Sequence, residues 1–490
     1  MALHFDAIII GTGQSGPALA HRFAKAGKRV AIVERKRFGG TCVNNGCIPT
    51  KSMIASARAA HVARRAADFG VVIESPIQVD MKAVKARKDA IVKVSNEGVE
   101  QALREAQAIS VHTGHARFIG SRQVAVNGDV LEAEQIFINV GGRADVPPVP
   151  GIETVPYLTN SSMMEVDFLP QHLVILGGSY IGLEFGQMYR RFGSEVTIVQ
   201  RNARLIPRED EDVSQAIREI LENEGIQILT DADATQVAER GGKVAVSVTA
   251  GGGRTEVTGS HLLVATGRRP NTDDLDLDKA GVETDERGYI EVDGQLRTNA
   301  SGIWAMGDCN GRGAFTHTSY NDFEIIEANL FGGEERRVED RIMTYALFID
   351  PPLGRAGMTE TEVRKKGIKA RVAKMPMADV GRAYERSETK GFMKIIVDAE
   401  SKQLLGAALL GIEGDEIAQG LLDMMYAKAP YPVIRRAMHI HPTVYEMIPY
   451  MFDELEPLAW TAQRQGARTA ERADDRGPAL LAACPAHFPR

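Results

Sequence analysis

Cysteine is scarce in this chain of 490 residues, which contains Cys42, Cys47, Cys309 and Cys484. Four cysteines are too few to cross-link a chain of this length, so a fold held together by a disulfide framework is excluded. The close spacing of Cys42 and Cys47 indicates redox chemistry or metal binding instead.

Long apolar runs and an excess of basic residues are also missing. No stretch reaches the ~18 apolar residues that a membrane-spanning helix needs, so we expect no membrane association. With 58 Lys and Arg against 65 Asp and Glu, the formal net charge is −7, which does not favour binding to nucleic acid. The first residues, MALHFDAIIIGTG, lack the basic segment and cleavage site of a signal peptide and are typical of a buried strand. We therefore expect a cytoplasmic protein.

The length and the order of the sequence patterns predict several domains, about three for a chain of this size. An apolar strand, a glycine turn, an amphipathic helix and a second apolar strand occur over residues 5–34 and again over 172–201. Alternating apolar runs and a helical stretch follow residue 342. This order predicts an α/β fold with two Rossmann-like dinucleotide-binding domains and a C-terminal α+β domain.

Segments rich in proline and glycine indicate where the domains end. GGRADVPPVPG separates the first repeat from the second, and ATGRRPNTD ends the second. The last thirty or so residues are rich in Ala, Arg and Pro and have no apolar periodicity, which is typical of a disordered tail. The predicted limits are 1–150 and 271–342 for the two parts of the first domain, 151–270 for the second domain, 343–460 for the C-terminal domain and 461–490 for the tail.

The first glycine turn, IIIGTGQSG, has the pattern of a dinucleotide-binding site. Gly11 makes the tight turn, Gly13 allows close approach of a pyrophosphate, and Gly16 allows the helix and strand to pack. Glu34 ends the next strand, where its carboxylate can accept a hydrogen bond from a ribose hydroxyl. Because the strand, the helix and the terminal acid are all correctly placed, a bound dinucleotide is favoured over a glycine turn without a ligand.

The second glycine turn, GGSYIG, contains Gly177 and Gly182 but has Ser179 where the middle glycine is expected. The serine hydroxyl can donate to a phosphate, although its Cβ narrows the turn. The following strand ends in Gln200 and Arg201 rather than in a carboxylate. Guanidinium groups pair with a 2′-phosphate that a carboxylate would repel, so NADPH is favoured and NADH stays possible. The alternative is that Arg201 and the nearby Arg204 and Arg208 are simply solvated surface residues.

The segment GGTCVNNGCIPTKS contains Cys42 and Cys47 at the start of a helical stretch, where peptide dipoles favour a thiolate. A metal site is not expected, because this spacing is not that of a common zinc site and no partner His or Cys pair stands at ligand spacing. The alternative of two inert, buried cysteines is less favoured, because a double-glycine turn and Lys51 lie next to them in the sequence.

The same segment resembles the redox-active disulfide signature of class I flavoprotein disulfide reductases, which include glutathione reductase, dihydrolipoamide dehydrogenase and mercuric reductase. The resemblance extends from residue 5 to about residue 455. It implies that Cys47 lies against a flavin and that Cys42 attacks the substrate. Lys51 matches the lysine near flavin N5, and Glu184 in YIGLE matches its glutamate partner. Tyr180 matches the tyrosine that covers the flavin until nicotinamide displaces it.

The resemblance also implies FAD and a nicotinamide cofactor. WAMGDCN is similar to the second FAD motif, with Asp308 at the ribityl chain, while the neighbouring Cys309 is expected to be a packing residue. Residues 315–317 match the turn whose amides face the flavin. The full set of expected cofactor-binding residues is Gly11, Gly13, Gly16, Glu34, Thr41, Lys51, Gly114, Asp308, Phe315, Thr316, Gly177, Ser179, Tyr180, Gly182, Arg201 and Gly267.

A histidine and a glutamate in HIHPTVYE complete the expected catalytic set. His441 and Glu446 match the pair that, in this family, reaches the active site from the second subunit. Thiol-disulfide exchange must protonate a leaving thiolate, which an imidazole oriented by a carboxylate does well near neutral pH. The resemblance therefore implies a homodimer with a shared active site. The predicted catalytic residues are Cys42, Cys47, Lys51, Glu184, His441 and Glu446.

The substrate is expected to be a small disulfide or a related thiol-reactive compound. Reduction of Hg(II) is an alternative, since GGSYIG resembles mercuric reductases. Those enzymes typically have a tyrosine in place of His441 and end in a pair of adjacent cysteines, whereas the tail here offers only Cys484. The HxHPT pattern resembles dihydrolipoamide dehydrogenase, which would be expected to have an acid at Gln200. No pocket for glutathione is recognisable, whereas FTHTSYNDF is similar to relatives that reduce oxidised sulfur electrophiles such as hypothiocyanous acid. A redox sensor without turnover is a further alternative.

Overall fold

The structure of the protein, a computed structural model, describes residues 1–459, so the predicted tail lies outside the described residues. The α-helices of this part are Ser15–Lys25, Gly40–Asn44, Cys47–Arg64, Met81–Glu105, Tyr180–Phe192, Glu211–Asn223, Thr316–Glu327, Glu360–Lys365, Gly381–Glu385, Gly414–Tyr426, Pro432–Arg436 and Ile448–Met451. None of these helices is long and apolar enough to cross a membrane.

The first sheet is built around the strand Ala2–Ile10, whose last four residues are buried. Parallel strands flank it on both sides, as expected for a sheet with both faces covered. Ile303–Ala305 returns to this sheet and pairs in parallel with Ile136–Ile138. The strands of the sheet are Ile109–Thr113, Val30–Glu34, Ala2–Ile10, Asp129–Ile138, Gln123–Val126 and Ala116–Gly120 in spatial order, with Ile303–Ala305 beside Asp129–Ile138.

The second sheet repeats the parallel arrangement around His172–Leu176. Its strands in spatial order are Gln227–Leu229, Glu195–Val199, His172–Leu176, His261–Val264 and Tyr157–Leu158. A separate antiparallel sheet, which the sequence patterns did not predict, is formed by Ala232–Arg240, Lys243–Ala250 and Gly253–Gly259.

A two-stranded ribbon of Gly142–Ala144 and Arg268–Pro270 joins the first two domains. These strands lie inside the two segments that the sequence predicted as boundaries. The chain therefore enters and leaves the second domain through neighbouring strands.

The third sheet is antiparallel and is covered by the helix Gly414–Tyr426, so the predicted α+β domain is present. Its strands in spatial order are Thr344–Leu347, Leu353–Gly357, Leu404–Leu410, Phe392–Asp398, Ala370–Pro376 and Glu456–Pro457. The buried Lys394 of this sheet joins it to the second domain, because its Nζ lies 3.0 Å from Asp210 and 2.8 Å from Asp212. Two dinucleotide-type domains and a C-terminal α+β domain are thus all observed, which confirms the predicted fold class.

Candidate active site

The two cysteines of the signature lie at the junction of two helices. Cys42 belongs to the short helix Gly40–Asn44, and Cys47 is the first residue of Cys47–Arg64. Both are free thiols in the structure. The Sγ of Cys47 lies 3.1 Å from the Oγ1 of Thr316, which begins the helix Thr316–Glu327. The sequence marked Thr316 as a cofactor-binding residue, and its contact with the sulfur was not foreseen.

The surroundings of Cys47 favour its thiolate form. A hydrogen bond from the Cys42 thiol has the largest effect, and it outweighs burial, which acts in the opposite direction. The Thr316 hydroxyl and the positive charge of Lys51 act in the same sense as Cys42, so the pKa of Cys47 falls to about 6 from the ordinary 9.0. The hydrogen bond to Cys47 raises the pKa of Cys42 far above its usual value. At neutral pH the pair therefore keeps one proton, and Cys47 holds the charge.

The predicted pair of Lys51 and Glu184 is brought together from two domains. Nζ of Lys51 donates to Glu184 Oε2 over 2.7 Å. The other carboxylate oxygen of Glu184 accepts from the backbone N–H of Phe348 over 3.0 Å, and the Lys51 ammonium lies 4.4 Å from the centre of the Phe348 ring. Since Glu184 is buried, its contacts hold the Lys51 ammonium in one position. This fixed positive charge acts on Cys47.

An aromatic group lies beside this pair. Tyr180 begins the helix Tyr180–Phe192, and its ring makes edge contacts with Phe315 at 5.8 Å and Tyr345 at 5.5 Å. Burial raises the pKa of Tyr180 to about 12, so its hydroxyl stays protonated. The Phe315 ring also stacks on His317 at 5.4 Å. Tyr345, which comes from the third sheet, was not recognised from the sequence, because no motif marks it.

The two glycine turns have matching geometry. A Cβ on Gly11 would lie 2.2 Å from the carbonyl oxygen of Asn139, and a Cβ on Gly177 would lie 2.3 Å from that of Ala265. Both glycines have positive φ, at +107° and +112°. Only glycine fits these positions, and each turn leads into a helix, whose N-terminus favours an anion such as a phosphate. A dinucleotide pyrophosphate therefore fits both turns.

The other expected FAD residues lie around the first turn. Glu34 Oε2 accepts from the backbone N–H of Thr12 at 3.2 Å and from its hydroxyl at 2.6 Å. Gly114 donates its N–H to the Glu34 carbonyl, which fixes the adjacent strand ends. Asp308 lies 3.3 Å from the Arg268 guanidinium, and burial raises the pKa of its carboxyl. The buried Glu34 carboxylate and the half-buried Asp308 carboxylate can each accept a hydrogen bond from a hydroxyl of a bound FAD.

Several expected cofactor residues are accounted for by local structure. Gly13 and Gly16 lie in the first turn, where a Cβ on Gly16 would come within 2.3 Å of the Gly11 carbonyl oxygen. A Cβ on Gly182 would come within 2.0 Å of the Gly177 carbonyl oxygen in the same way. The remaining residues are Thr41 in the first cysteine helix, Ser179 before Tyr180–Phe192, Gly267 with φ +150° beside the ribbon, and Arg201, which is exposed. Cys309 is fully buried.

The His441 and Glu446 side chains form the expected pair. His441 Nδ1 lies 3.0 Å from both carboxylate oxygens of Glu446, and the Thr443 N–H also donates to Glu446 at 3.3 Å. The imidazole is exposed, with 71% of its side chain accessible. An exposed imidazole with a fixed carboxylate partner can present its free Nε2 to another molecule.

Comparisons with known proteins agree with this geometry. The sequence profile of the "Pyridine nucleotide-disulphide oxidoreductase" family matches residues 5–322, and that of its "dimerisation domain" matches residues 343–452. The chain is 36% identical over 456 residues to the "Probable pyridine nucleotide-disulfide oxidoreductase RclA" of Escherichia coli, covering 91% of this chain and 98% of that protein. It is 33% identical to a dihydrolipoyl dehydrogenase of Thermus scotoductus over 90% of this chain and 95% of that protein.

A mercuric reductase of Lysinibacillus sphaericus is 30% identical, over 84% of this chain and 76% of that protein. Among solved structures, the "HOCl-induced flavoprotein disulfide reductase RclA" of Escherichia coli superposes with a TM-score of 0.84 at 36% identity, covering 91% of this chain and 99% of that chain. One assignment accounts for the close pair of Cys42 and Cys47, for the Lys51–Glu184 contact and for the likeness to these relatives. The chain belongs to the pyridine nucleotide-disulphide oxidoreductase family and is a class I flavoprotein disulfide reductase.

Proposed function

We propose that the enzyme takes electrons from NADPH, works as a homodimer, and reduces a small disulfide or an oxidised sulfur compound. The observation that carries this proposal is the environment of Cys47, where the Cys42 thiol, Thr316 and Lys51 together favour a thiolate. Such a thiolate suits electron transfer between sulfur and a flavin. When bound, FAD would accept a hydride from the nicotinamide and pass two electrons to the disulfide.

The two cysteines then have different tasks. Two electrons and one proton from solvent break the Cys42–Cys47 disulfide, which leaves a thiolate on Cys47 and a thiol on Cys42. Cys42 loses its proton as it attacks a sulfur of the substrate disulfide, and the first substrate thiol leaves with a proton. The Cys47 thiolate then attacks the Cys42 sulfur, which forms the enzyme disulfide again and releases the second substrate sulfur as a thiolate that takes up a proton from solvent.

His441 is proposed to supply the proton for the leaving thiolate, with Glu446 holding its imidazole. Among residues 1–459 of one chain, the hydrogen bonds of its imidazole go to Glu446, and its free edge faces solvent. We propose that this edge reaches the cysteine pair of a second copy, so that the complete site needs a homodimer. The match of residues 343–452 to a dimerisation domain supports this arrangement.

The preference for NADPH rests on the end of the strand Glu195–Val199. There Gln200 accepts from the Gly178 N–H over 2.9 Å, so an amide occupies the place where a carboxylate would bind a ribose hydroxyl. Arg201 follows and is exposed, as is Arg208. An amide does not repel a 2′-phosphate, and guanidinium groups pair with it.

The nucleotide preference is tested by anaerobic reduction with NADPH and, separately, NADH. Replacing Arg201 by Ala is expected to weaken NADPH binding by about 10-fold, as for the loss of one charge-assisted contact, and to leave NADH binding unchanged. Arg254→Ala is the matched control, because Arg254 is exposed on the antiparallel sheet of the same domain. Equal rates with NADH and NADPH in the wild type would contradict the preference.

Oxidised sulfur electrophiles are one class of substrate that the likeness to RclA supports. The solved relative RclA is described as induced by HOCl, which oxidises thiols and related sulfur compounds. Mercuric reductase and dihydrolipoyl dehydrogenase activities are not favoured over disulfide reduction. A cytoplasmic location stays a prediction, supported by the low cysteine content of the sequence.

A further inference from the structure

Tyr345 links the aromatic groups of the site. It lies on the strand Thr344–Leu347 of the third sheet, and its ring contacts the edge of Tyr180 at 5.5 Å and 85°. The Tyr345 ring lies nearly parallel to the Phe315 ring and stacks on it, with the ring centres 5.4 Å apart and an angle of 12° between the ring planes. Phe315 directly precedes Thr316, the residue that contacts Cys47. One ring from the third sheet therefore supports both Tyr180 and the turn beside the cysteines.

The hydroxyl of Tyr345 is anchored on a buried carboxylate. It donates to Oε1 of Glu209, which is 2% exposed. The other oxygen of Glu209 has no hydrogen bond among residues 1–459, and it lies 3.8 Å from Nη2 of the buried Arg355. A buried carboxylate with few partners depends strongly on each one it has. The Tyr345 hydroxyl is therefore held in place, and its ring with it.

Glu209 in turn ends a segment that is tied to the second glycine turn. Ile206 donates its N–H to the Gly178 carbonyl over 3.0 Å, and the Gly178 N–H donates to Gln200 over 2.9 Å. This segment, residues 200–209, includes the arginines proposed to bind the 2′-phosphate. The nucleotide site and the anchor of Tyr345 thus share one short segment of chain.

We propose that Tyr345, anchored on Glu209, is a positioning residue that holds the Tyr180 ring in the position seen in the structure, here called the closed position. Through this position it sets the affinity for the nicotinamide end of the nucleotide. The inference rests on the proposed NADPH-dependent function and on the expectation, from the family resemblance, that nicotinamide binds by displacing Tyr180. Edge contacts between aromatic rings change such equilibria by roughly 2- to 12-fold. Weakening the closed position raises the population that is ready to bind, which lowers the apparent Kd by the same factor.

The test compares two ligands that differ in the nicotinamide half. NADP⁺ needs Tyr180 to move, whereas 2′,5′-ADP fills only the adenosine half. Calorimetry on the flavin-loaded Tyr345→Leu variant is expected to show NADP⁺ binding about 3- to 10-fold tighter than in the wild type, with the affinity for 2′,5′-ADP unchanged. Tyr345→Phe keeps the ring but loses the anchor, and a smaller change in the same direction is expected. Tyr384→Phe, at an exposed tyrosine of the same domain, is the matched control.

A double variant separates the positioning role from a merely structural one. Once Tyr180 is replaced by Leu, adding Tyr345→Leu is expected to cause no further change in NADP⁺ affinity. Equal shifts for NADP⁺ and 2′,5′-ADP, or unchanged NADP⁺ affinity in Tyr345→Leu, would overturn the proposal. If Tyr345→Leu does not fold, Tyr345→Phe decides the question by the same comparison.

Failure of the proposed function has a different signature. If Tyr180→Leu itself leaves NADP⁺ affinity unchanged, Tyr180 is not displaced by nicotinamide, and the proposals on both tyrosines fall together. If Tyr180→Leu tightens binding and Tyr345→Leu does not, only the role of Tyr345 is wrong. If the wild type binds NAD⁺ in place of NADP⁺, the nucleotide preference is wrong, and the same comparison with NAD⁺ and ADP-ribose still decides the role of Tyr345.

Discussion

Removing the Cys42 thiol should raise the pKa of Cys47. The hydrogen bond from Cys42 is the largest of the effects that bring this pKa to about 6 from the ordinary 9.0. With a pKa of about 6, roughly nine-tenths of Cys47 is thiolate at pH 7, whereas a thiol of pKa 9 is only about 1% ionised. In Cys42→Ala, Thr316 and Lys51 stay and burial still opposes them. We therefore expect the pKa of Cys47 to rise in Cys42→Ala and its thiolate fraction at pH 7 to fall below that of the wild type.

The assay is a pH titration of the reduced enzyme under argon, followed by thiolate absorbance at 240 nm. The rate at which iodoacetamide modifies Cys47, measured by mass spectrometry, gives an independent titration curve, because the thiolate is the reactive form. Cys309→Ala is the matched control, since Cys309 is buried and its thiol contacts the carbonyls of Met306 and Ile138. A wild-type Cys47 that titrates near 9, or equal pKa values in Cys42→Ala and the wild type, would refute this reasoning.

Three further outcomes follow from other contacts. Glu184→Gln removes a negative charge that raises the pKa of Cys47, so the same titration should show a pKa below about 6, and an increase would contradict the assignment. His441→Gln is expected to slow substrate turnover by about 10²- to 10⁴-fold while flavin reduction by NADPH keeps its rate, as stopped-flow absorbance would show. Arg191→Met leaves the largely buried Glu224 without its guanidinium partner and leaves Asp350 with Arg58 alone. It should lower the free energy of unfolding in urea by about 3–5 kcal/mol, whereas the exposed Arg122→Met should leave this free energy unchanged.

The fold and the centre of the site could be predicted because their signals are local or belong to a recognisable family. The strand, glycine turn and helix of each dinucleotide domain follow one another within about thirty residues, and the structure contains both units. Cys42 and Cys47 are close in sequence. Lys51 and Glu184 are 133 residues apart, and the resemblance alone joined them before the structure showed their 2.7 Å contact.

Contacts between domains could not be predicted in this way. Tyr345 is far from Tyr180 in the sequence and lies on an ordinary apolar strand, so nothing in its neighbourhood marks it. The contact of Thr316 with Cys47 joins residues 269 positions apart. The antiparallel sheet of residues 232–259 consists of antiparallel strands joined by glycine turns, and no motif like that of the glycine-rich dinucleotide units marks it.

The most direct test of the central claim is an anaerobic titration of the flavin-loaded enzyme with NADPH, followed by its visible spectrum. If Cys47 is the thiolate that lies against the flavin, a long-wavelength absorption band should develop in the wild type as NADPH is added. In Cys42→Ser the band should be present before NADPH is added, at sufficiently high pH, and in Cys47→Ser it should be absent throughout. Bleaching of the flavin without this band in the wild type would show that the cysteine pair is not in redox contact with the flavin and would contradict the account.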